Sequence, residues 1–405
     1  MLRKIIYTLL LLFSLSLCAN AGKQLIELSN SAQISLLTNS PSNSEVFRLY
    51  GHTAIRVKDA LKNIDLVFNY GVFDFDSPNF IYRFAKGETD YVLAGYDFRQ
   101  YLLEYDYRRI SVYEQIFNLT QDEKQKIWEA LCINLLPQNR KYRYNFFFDN
   151  CSTRPRDIIE KNVSGKITYT STNKHQTFRD LVHECVGREP WVKFGIDLVI
   201  GSGADSIISD RQKMFLPVYL ENAYENSTIT RHDSVTESFI KNEGYILDFR
   251  KDNYLPIDSN FAFPFIIISW GILLTTILFS IFTFRKKREI ADKTFDFLLF
   301  FTYGVAGCIV AFLMFVSEHP CTNPNWNLVW LNPVQLIAAF LFFPKYFSKC
   351  IYYYHFINFV LLILFLICWF IIPQHLEIAF IPYILALCVR SGTNIVKYRK
   401  MKNSN

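Results

Sequence analysis

Asn145-Phe-Phe-Phe-Asp-Asn-Cys151-Ser-Thr-Arg-Pro-Arg-Asp157-Ile-Ile159 is the stretch whose reading decides this chain. An apolar, strand-like run ends at a single cysteine, and a helical pattern begins there. Backbone N–H groups at a helix start favour negative charge, which draws a cysteine toward thiolate. The thiolate is the nucleophile, and it needs a base within reach. Upstream, Tyr50-Gly-His52-Thr-Ala-Ile-Arg-Val57 places a histidine at the entrance of a strand. From this chemistry alone two readings stand. In one, Cys151 and His52 are a nucleophile and its base, with the Cys151 backbone N–H open to a developing oxyanion. In the other, Cys151 is a small buried hydrophobe and His52 a satisfied core histidine. The polar run Asp149-Asn150-Cys151-Ser-Thr, directly after Phe146-Phe-Phe148, puts the thiol at an element boundary rather than mid-core. Pro155 lacks an N–H and fits only the first helical turn, so the helix is expected to start near Ser152 or Thr153.

Working outward, the chain has 405 residues, a formal net charge of +6 and 51% hydrophobic residues. It is too long for one small domain. The apolar residues concentrate after Phe263. Residues 22–225 read as a mixed α+β domain with length enough for a core, and 226–262 as a polar spacer. Basic residues cluster at the ends of apolar runs, as membrane anchors do, and no stripe suited to nucleic acid is present. Residues 1–21 read as a secretory signal: Arg3 and Lys4, the apolar run Ile5 to Leu17, then the small-x-small site Ala19-Asn20-Ala21. Leu17 is too large for a lipobox before Cys18, so ordinary cleavage after Ala21 is expected. That leaves Cys132, Cys151 and Cys185 in the exported domain. An odd number leaves at least one thiol outside any intramolecular disulfide. Cys132 with Cys185 is one pairing that leaves Cys151 reactive, and spacing alone does not select it. No CxxC pair or close His/Cys cluster suggests zinc, and no cofactor is expected.

Period-2 patterning predicts strands over Gln33 to Thr38, His52 to Val57, Asp65 to Phe73, Tyr91 to Ala94 and Arg109 to Phe117. Helices are expected over Pro78 to Lys86, Phe98 to Tyr105 and Phe178 to Val186. Thr120-Gln-Asp-Glu123 is a capping box opening a helix to about Leu136. Pro190 to Ser209 reads as a surface loop, with contact to lipid or substrate as the alternative. Residues 263–396 hold five expected membrane spans: Phe263 to Phe284, Phe295 to Val316, Val334 to Phe347, His355 to Ile372 and Ile378 to Val396. A basic tail, 397–405, follows. This arrangement puts Arg285-Lys-Lys-Arg288, Lys345, Lys349 and the tail on the cytoplasmic side and the Cys151 domain outside. Helical spans favour the inner membrane.

Four stretches resemble the Lnb N-terminal periplasmic domain family: Tyr50-Gly-His-Thr-Ala-Ile-Arg-Val57, Tyr70-Gly-Val-Phe-Asp-Phe75, Asn79-Phe-Ile-Tyr-Arg-Phe-Ala-Lys-Gly87 and Phe148-Asp-Asn-Cys-Ser-Thr-Arg154. So do Glu318-His-Pro320 and Asn325-Trp-Asn-Leu-Val-Trp-Leu-Asn-Pro333 in the membrane region. The family is similar to circularly permuted papain-like thiol enzymes of the NlpC type, in which the histidine strand precedes the cysteine helix. The resemblance implies a papain-like periplasmic domain and a lipoprotein N-acyltransferase: an acyl chain passes from a phospholipid to a lipoprotein amine. Cys151 would be the nucleophile and His52 the base.

Papain-like sites orient the histidine with a third polar group. Asn69 is the candidate, with Asp74 the weaker one and a strand-end turn role the alternative for Asn69. Tyr50, Tyr144 and Asn150 are the candidates to line the site or supply a second oxyanion donor; simple packing is the alternative for the two tyrosines. His319 and Asn332 lie at span ends, where ionisable and amide groups contact lipid or partner. Two other functions remain open: a cysteine amidase or peptidase acting on peptidoglycan, and a non-enzymatic membrane scaffold.

Overall fold

The apolar alternation of Gln33–Asn39 forms β1, and the first unit of the molecule is laid out on either side of it. The computed structural model describes residues 26–73, 78–187, 189–231, 235–250, 263–286 and 288–404. The leader read at 1–21, Asp74 and the end of the expected spacer lie outside the described residues. β1 pairs antiparallel with β2 (His52–Asp59) and with β5 (Val112–Phe117). β2 pairs with β3 (Ile64–Phe73), β3 with β4 (Asp90–Asp97) and β4 with β6 (Lys141–Arg143). β10 (Ile240–Leu247) adds to β5, which makes the order β10-β5-β1-β2-β3-β4-β6. Strand alternation sorts side chains to two faces. Ile34, Leu36, Ile55, Val57, Phe68 and Tyr70 share one core with Ile127, Trp128, Leu131 and Leu135. Those four come from α3 (Gln121–Leu135), which follows α1 (Phe80–Lys86) and α2 (Phe98–Tyr107). Leu37, Ala54, Val67 and Val112 pack instead with Phe98 and Tyr101 of α2.

The capping box of α3 forms: Thr120 Oγ1 accepts from Glu123 N at 3.3 Å and the Glu123 carboxylate accepts from Thr120 N at 2.8 Å. The same buried carboxylate also receives Ser164 N at 2.7 Å and the Arg231 guanidinium. It thereby ties α3 to the segments around β7 (Lys166–Thr168) and β8 (Thr228–Thr230), which with β9 (Thr236–Ser238) form a second, three-stranded sheet. The described part of the expected spacer, up to residue 250, is therefore not simply a spacer. It contributes β8, β9 and the edge strand β10. Ile229 and the adjacent Phe239 and Ile240 carry this, buried among polar neighbours, a pattern too sparse to stand out in the sequence. In chain order α4 (Thr153–Asn162) precedes β7, and α5 (Phe178–Val186), α6 (Pro190–Val199), α7 (Asp210–Lys213) and α8 (Pro217–Glu225) lie between β7 and β8.

The second unit takes Val186–Ser206 together with the C-terminal helices. Those are α9 (Phe263–Lys286), α10 (Glu289–Phe315), α11 (Val334–Leu341), α12 (Ser348–Ile367) and α13 (Ile381–Ser404). The first half of the expected loop at 190–209 is thus a helix joined to this unit. Phe194 on α6 packs against Phe265 at 5.7 Å and Phe380 at 5.2 Å, and Lys193 pairs with Glu377 at 2.5 Å. The last carbonyls of a helix lack partners within it. Here Asn325 Nδ2 donates to Leu198 O at 2.9 Å, and Asn327 Nδ2 donates to Asp197 O at 2.9 Å. Side chains about 130 residues downstream end this helix, so no local stop signal marked it.

Four helices among the described residues are long and apolar enough to cross a membrane. The expected span Val334 to Phe347 is not one of them. α11 has 8 residues, about 12 Å of helix, and Pro344 prevents its continuation. The chain from Leu331 to Phe343 nevertheless runs antiparallel to α10. A Cβ at Gly307 would lie 2.6 Å from Leu331 O, and Lys293 Nζ donates to Phe343 O at 3.4 Å. Gly304 and Gly307 permit this approach, since side chains there would collide with the Leu336 and Leu331 backbone. Helices α10 and α12 also begin earlier than their apolar runs suggest. Asp292 and Asp296 on α10 are held by Arg390 of α13 at 2.8 and 2.6 Å, and Lys397 adds a 2.6 Å pair to Asp292. Pairing of this kind lets ionised groups enter an otherwise apolar helix.

Candidate active site

The turn before α4 is built by its own polar side chains. Asn145 and Asp149 bond reciprocally through their backbones at 2.9 Å. Asn150 Oδ1 accepts from Ser152 N at 2.8 Å and Thr153 N at 2.9 Å, while Thr153 Oγ1 accepts from Asn150 N at 2.8 Å. Asn150 Nδ2 donates to Phe146 O at 2.7 Å and to Phe215 O at 2.9 Å. Both amide hydrogens are thus spent on the turn, so the expected lining or oxyanion role of the Asn150 side chain gives way to a capping one. α4 begins at Thr153, with Pro155 in its first turn, where it forfeits no helical bond. Cys151 stands just ahead of the helix, and its N–H donates to no backbone carbonyl among the described residues.

His52 opens β2, and its Nε2 lies 2.7 Å from Asn69 Oδ1 on β3. An amide oxygen only accepts, so Nε2 carries a proton and Nδ1 is left for the thiol. The His52 ring and the Cys151 side chain stand side by side, since a Cβ at Gly71 would meet both, His52 Cε1 at 3.3 Å and Cys151 Cβ at 3.5 Å. Gly71 makes the meeting possible. It sits where the β3–β4 register shifts between Tyr70 and Val72, with φ +117°. A bulge glycine permits a close approach at that point. Thr53 Oγ1 donates to the Cys151 carbonyl at 2.5 Å and pins the nucleophile's backbone to β2.

Burial alone would push the Cys151 thiol up. The His52 charge, the hydrogen bond to it, the Thr53 backbone N–H and the Ser152 hydroxyl outweigh burial and hold the thiol below its ordinary value. Burial alone would likewise lower His52. The Cys151 thiolate, its hydrogen bond, Asn69 and the more distant Glu104 outweigh this, and the imidazole is raised. Each group therefore favours the charged form of the other, the electrostatics of a thiolate–imidazolium pair.

Tyr50 ends a short 3-10 turn and sets its ring edge-on to Phe146 at 4.8 Å. Tyr144 stacks on Tyr91 at 3.9 Å. Burial first, then the Cys151 charge, raises Tyr91, Tyr142 and Tyr144 well above the usual phenol value. The site is thus walled by tyrosines, of which the sequence reading singled out only Tyr144 and Tyr50. Tyr142 in β6 and Tyr144 just past its end lie two residues apart, a spacing that puts both on one side of extended chain, and that spacing is the available signal. Gly71, Thr53 and Ser152 were also passed over; a glycine inside the strand pattern at Tyr70-Gly-Val72 was the visible mark of the bulge.

Cys132 and Cys185 do not form a disulfide with each other. Burial pushes the Cys185 thiol up to about 12, so it is a poor nucleophile. His319 and Asn332 belong to the second unit. The His319 backbone N–H donates to Ser317 Oγ at 3.0 Å and its carbonyl accepts from Thr322 Oγ1 at 3.0 Å. Asn332 Nδ2 donates to Val329 O at 3.3 Å and its carbonyl accepts from Gln335 N at 3.1 Å, at the start of α11. No group of three or more His, Cys, Asp or Glu side chains among the described residues is arranged to hold a metal ion.

Family models place the chain. The Lnb N-terminal periplasmic domain matches residues 26–184, which contain His52, Asn69 and Cys151. The Lnb transmembrane domain matches residues 257–401. No curated protein and no solved structure matches the chain. With a mixed α/β domain carrying a thiol–imidazole pair, followed by apolar helices, and with both halves matched, the chain belongs to the Lnb family of membrane proteins with a periplasmic domain.

Proposed function

We propose that this protein is a thiol-dependent acyltransferase that moves a fatty acyl chain from a phospholipid to the N-terminal cysteine amine of a lipoprotein. The observation that carries the reading is the line Asn69–His52–Cys151 at a helix start, in a chain whose family joins a periplasmic domain to a transmembrane one. The order of the dyad, histidine strand before cysteine helix, is that of permuted papain-like enzymes. The Cys151 thiolate attacks the acyl ester carbon and forms a C–S bond. The oxyanion is held by the Cys151 N–H and a further donor. The C–O bond breaks, the His52 imidazolium protonates the leaving oxygen, and a lysophospholipid departs. The lipoprotein amine then attacks the thioester, His52 takes its proton, and the C–S bond breaks to restore the thiolate. Asn69 positions His52 and touches neither substrate.

Localisation is part of the proposal: a multi-pass protein of the inner membrane, with the Cys151 domain in the periplasm. The antiparallel run of residues 331–343 along α10 supports five passes, the short one completed by non-helical chain. Basic residues flanking spanning helices favour the cytoplasmic side.

The test is mass spectrometry of lipoprotein N-termini in cells lacking the protein, rescued with wild type or Cys151→Ala. Restoration of the extra acyl chain by wild type alone is the expected result. Full acylation without the protein, with no second acyltransferase present, overturns the reading in favour of an amidase. Rescue by Cys151→Ala points to a scaffold.

A further inference from the structure

We propose that the Tyr142 hydroxyl is an oxyanion donor of the Cys151 site, acting together with the Cys151 backbone N–H. Leaving a buried hydroxyl without a partner is costly, so most native hydroxyls find one. Tyr142 is 7% exposed, and its hydroxyl is fully buried with no hydrogen-bond partner. Its neighbour Tyr70, with ring centroids 6.3 Å apart, is treated differently: the Tyr70 hydroxyl receives Asn134 Nδ2 at 3.0 Å. The fold therefore satisfies one phenol of the pair and leaves the other open.

The open hydroxyl belongs to the thiol's surroundings. Tyr142 on β6 pairs with Tyr91 on β4, and Tyr144 continues the same side. The first turn of α4 is clamped onto the Tyr142 ring. Arg154 lies 3.6 Å above the ring centroid and is held there by both Asp149 oxygens, at 2.6 and 2.8 Å. After burial, the Cys151 thiolate is the charge that acts most strongly on this phenol, ahead of Arg154. A cation over the ring also polarises the O–H and strengthens it as a donor. Tyr91 and Tyr144 meet the same thiolate, but neither has a hydroxyl buried without a partner.

Beside the Ser152 hydroxyl, which acts on the thiol itself, the Cys151 N–H and the Tyr142 hydroxyl wait without acceptors. The acceptor that satisfies both is the oxygen of a tetrahedral carbon bonded to Cys151 Sγ, which exists only during acyl transfer. Donors of this kind stabilise the transition state without tightening the ground state. The inference rests on the thiol-acyl reading only in requiring that an ester acylates Cys151; the natural donor lipid does not enter it.

The experiment uses the full chain in detergent and the Tyr142→Phe variant, which keeps the ring and removes only the hydroxyl. Acylation of Cys151 by p-nitrophenyl octanoate is followed as a nitrophenol burst. Iodoacetamide alkylation, which passes through no oxyanion, reports the thiolate separately. The expected result is acylation slowed about 100-fold, the scale for one oxyanion donor. Alkylation stays within about twofold, and the thermal midpoint is unchanged or raised because an unsatisfied group has gone. Acylation at the wild-type rate overturns the proposal, and so does an equal loss of acylation and alkylation. Wild type acylated by the ester in a cell whose lipoproteins do not depend on it leaves this inference standing and removes the lipoprotein reading. Wild type that is never acylated on Cys151 removes both.

Discussion

Gly71 clears the space that the His52 ring occupies: a Cβ at Gly71 would lie 3.3 Å from His52 Cε1, and 3.5 Å from Cys151 Cβ. Its φ of +117° is also one that side chains rarely adopt. Gly71→Ala is expected to add about 1–3 kcal/mol of backbone strain and to part the imidazole from the thiol. Ester acylation of Cys151 should fall more than tenfold while circular dichroism reports an intact sheet. A wild-type rate would show that the bulge has room to spare.

The thiolate–imidazolium pair sets a pH window. Cys151 is held below its ordinary value and His52 above, so the pair extends the thiolate to lower pH than an isolated thiol allows. Iodoacetamide alkylation of Cys151 should reach its plateau at a lower pH than that of an ordinary thiol, whose value is near 8.5. In His52→Ala the charge that offsets burial is gone. Alkylation at pH 7 should then drop at least tenfold and recover only in alkali. An unchanged profile in His52→Ala would sink the pair.

Asn69 acts through His52, so its variants should change orientation rather than binding. Asn69→Ala removes the acceptor from Nε2–H and is expected to lower kcat by roughly 10- to 100-fold with little change in KM. Asn69→Asp keeps an acceptor and adds a negative charge. It should restore part of the rate and raise the His52 value further, moving the pH profile. A purely structural role would give no such displacement.

Asn150→Ala removes a helix cap and uncovers the Phe146 and Phe215 carbonyls. The expected cost is about 2–4 kcal/mol, read as a thermal midpoint lower by several degrees. Cys151 reactivity should fall with it, since the same turn aims the thiol.

Glu221 on α8 carries a pH-dependent liability. Burial first, then Glu225 and Glu243, pushes its carboxyl up to about 7, against the nearby Thr38 side chain, which lowers it. The folded state therefore holds this proton more tightly than the unfolded chain, whose value is near 4.3. The associated stability is fully present below the unfolded value and is lost as pH rises through about 7. Glu221→Gln should gain roughly 1–3 kcal/mol over wild type at pH 8 and much less at pH 5, measured by thermal unfolding at both. Equal gains at the two would exclude titration as the cause.

What the sequence by itself determined is what repeats locally. The period-2 runs of β1 to β5, the Thr120 capping box, the polar halt after Phe148 and the long apolar runs each depend on neighbours within a few residues. They yield the central strands, the place of Cys151 at a helix start, and the division into a mixed domain and apolar helices. Contacts across long stretches of chain were decided only in the tertiary structure. Asn69 meets His52 because β2 and β3 pair in one register. Asn325 and Asn327 end α6 from far downstream, and Arg390 carries Asp292 and Asp296 into an apolar helix. Tyr142 gains its open hydroxyl because the partner that satisfies Tyr70 does not reach it. Such pairings depend on which elements pack together, and that is settled by burial and hydrogen-bond satisfaction over the whole fold rather than by any short pattern of residues.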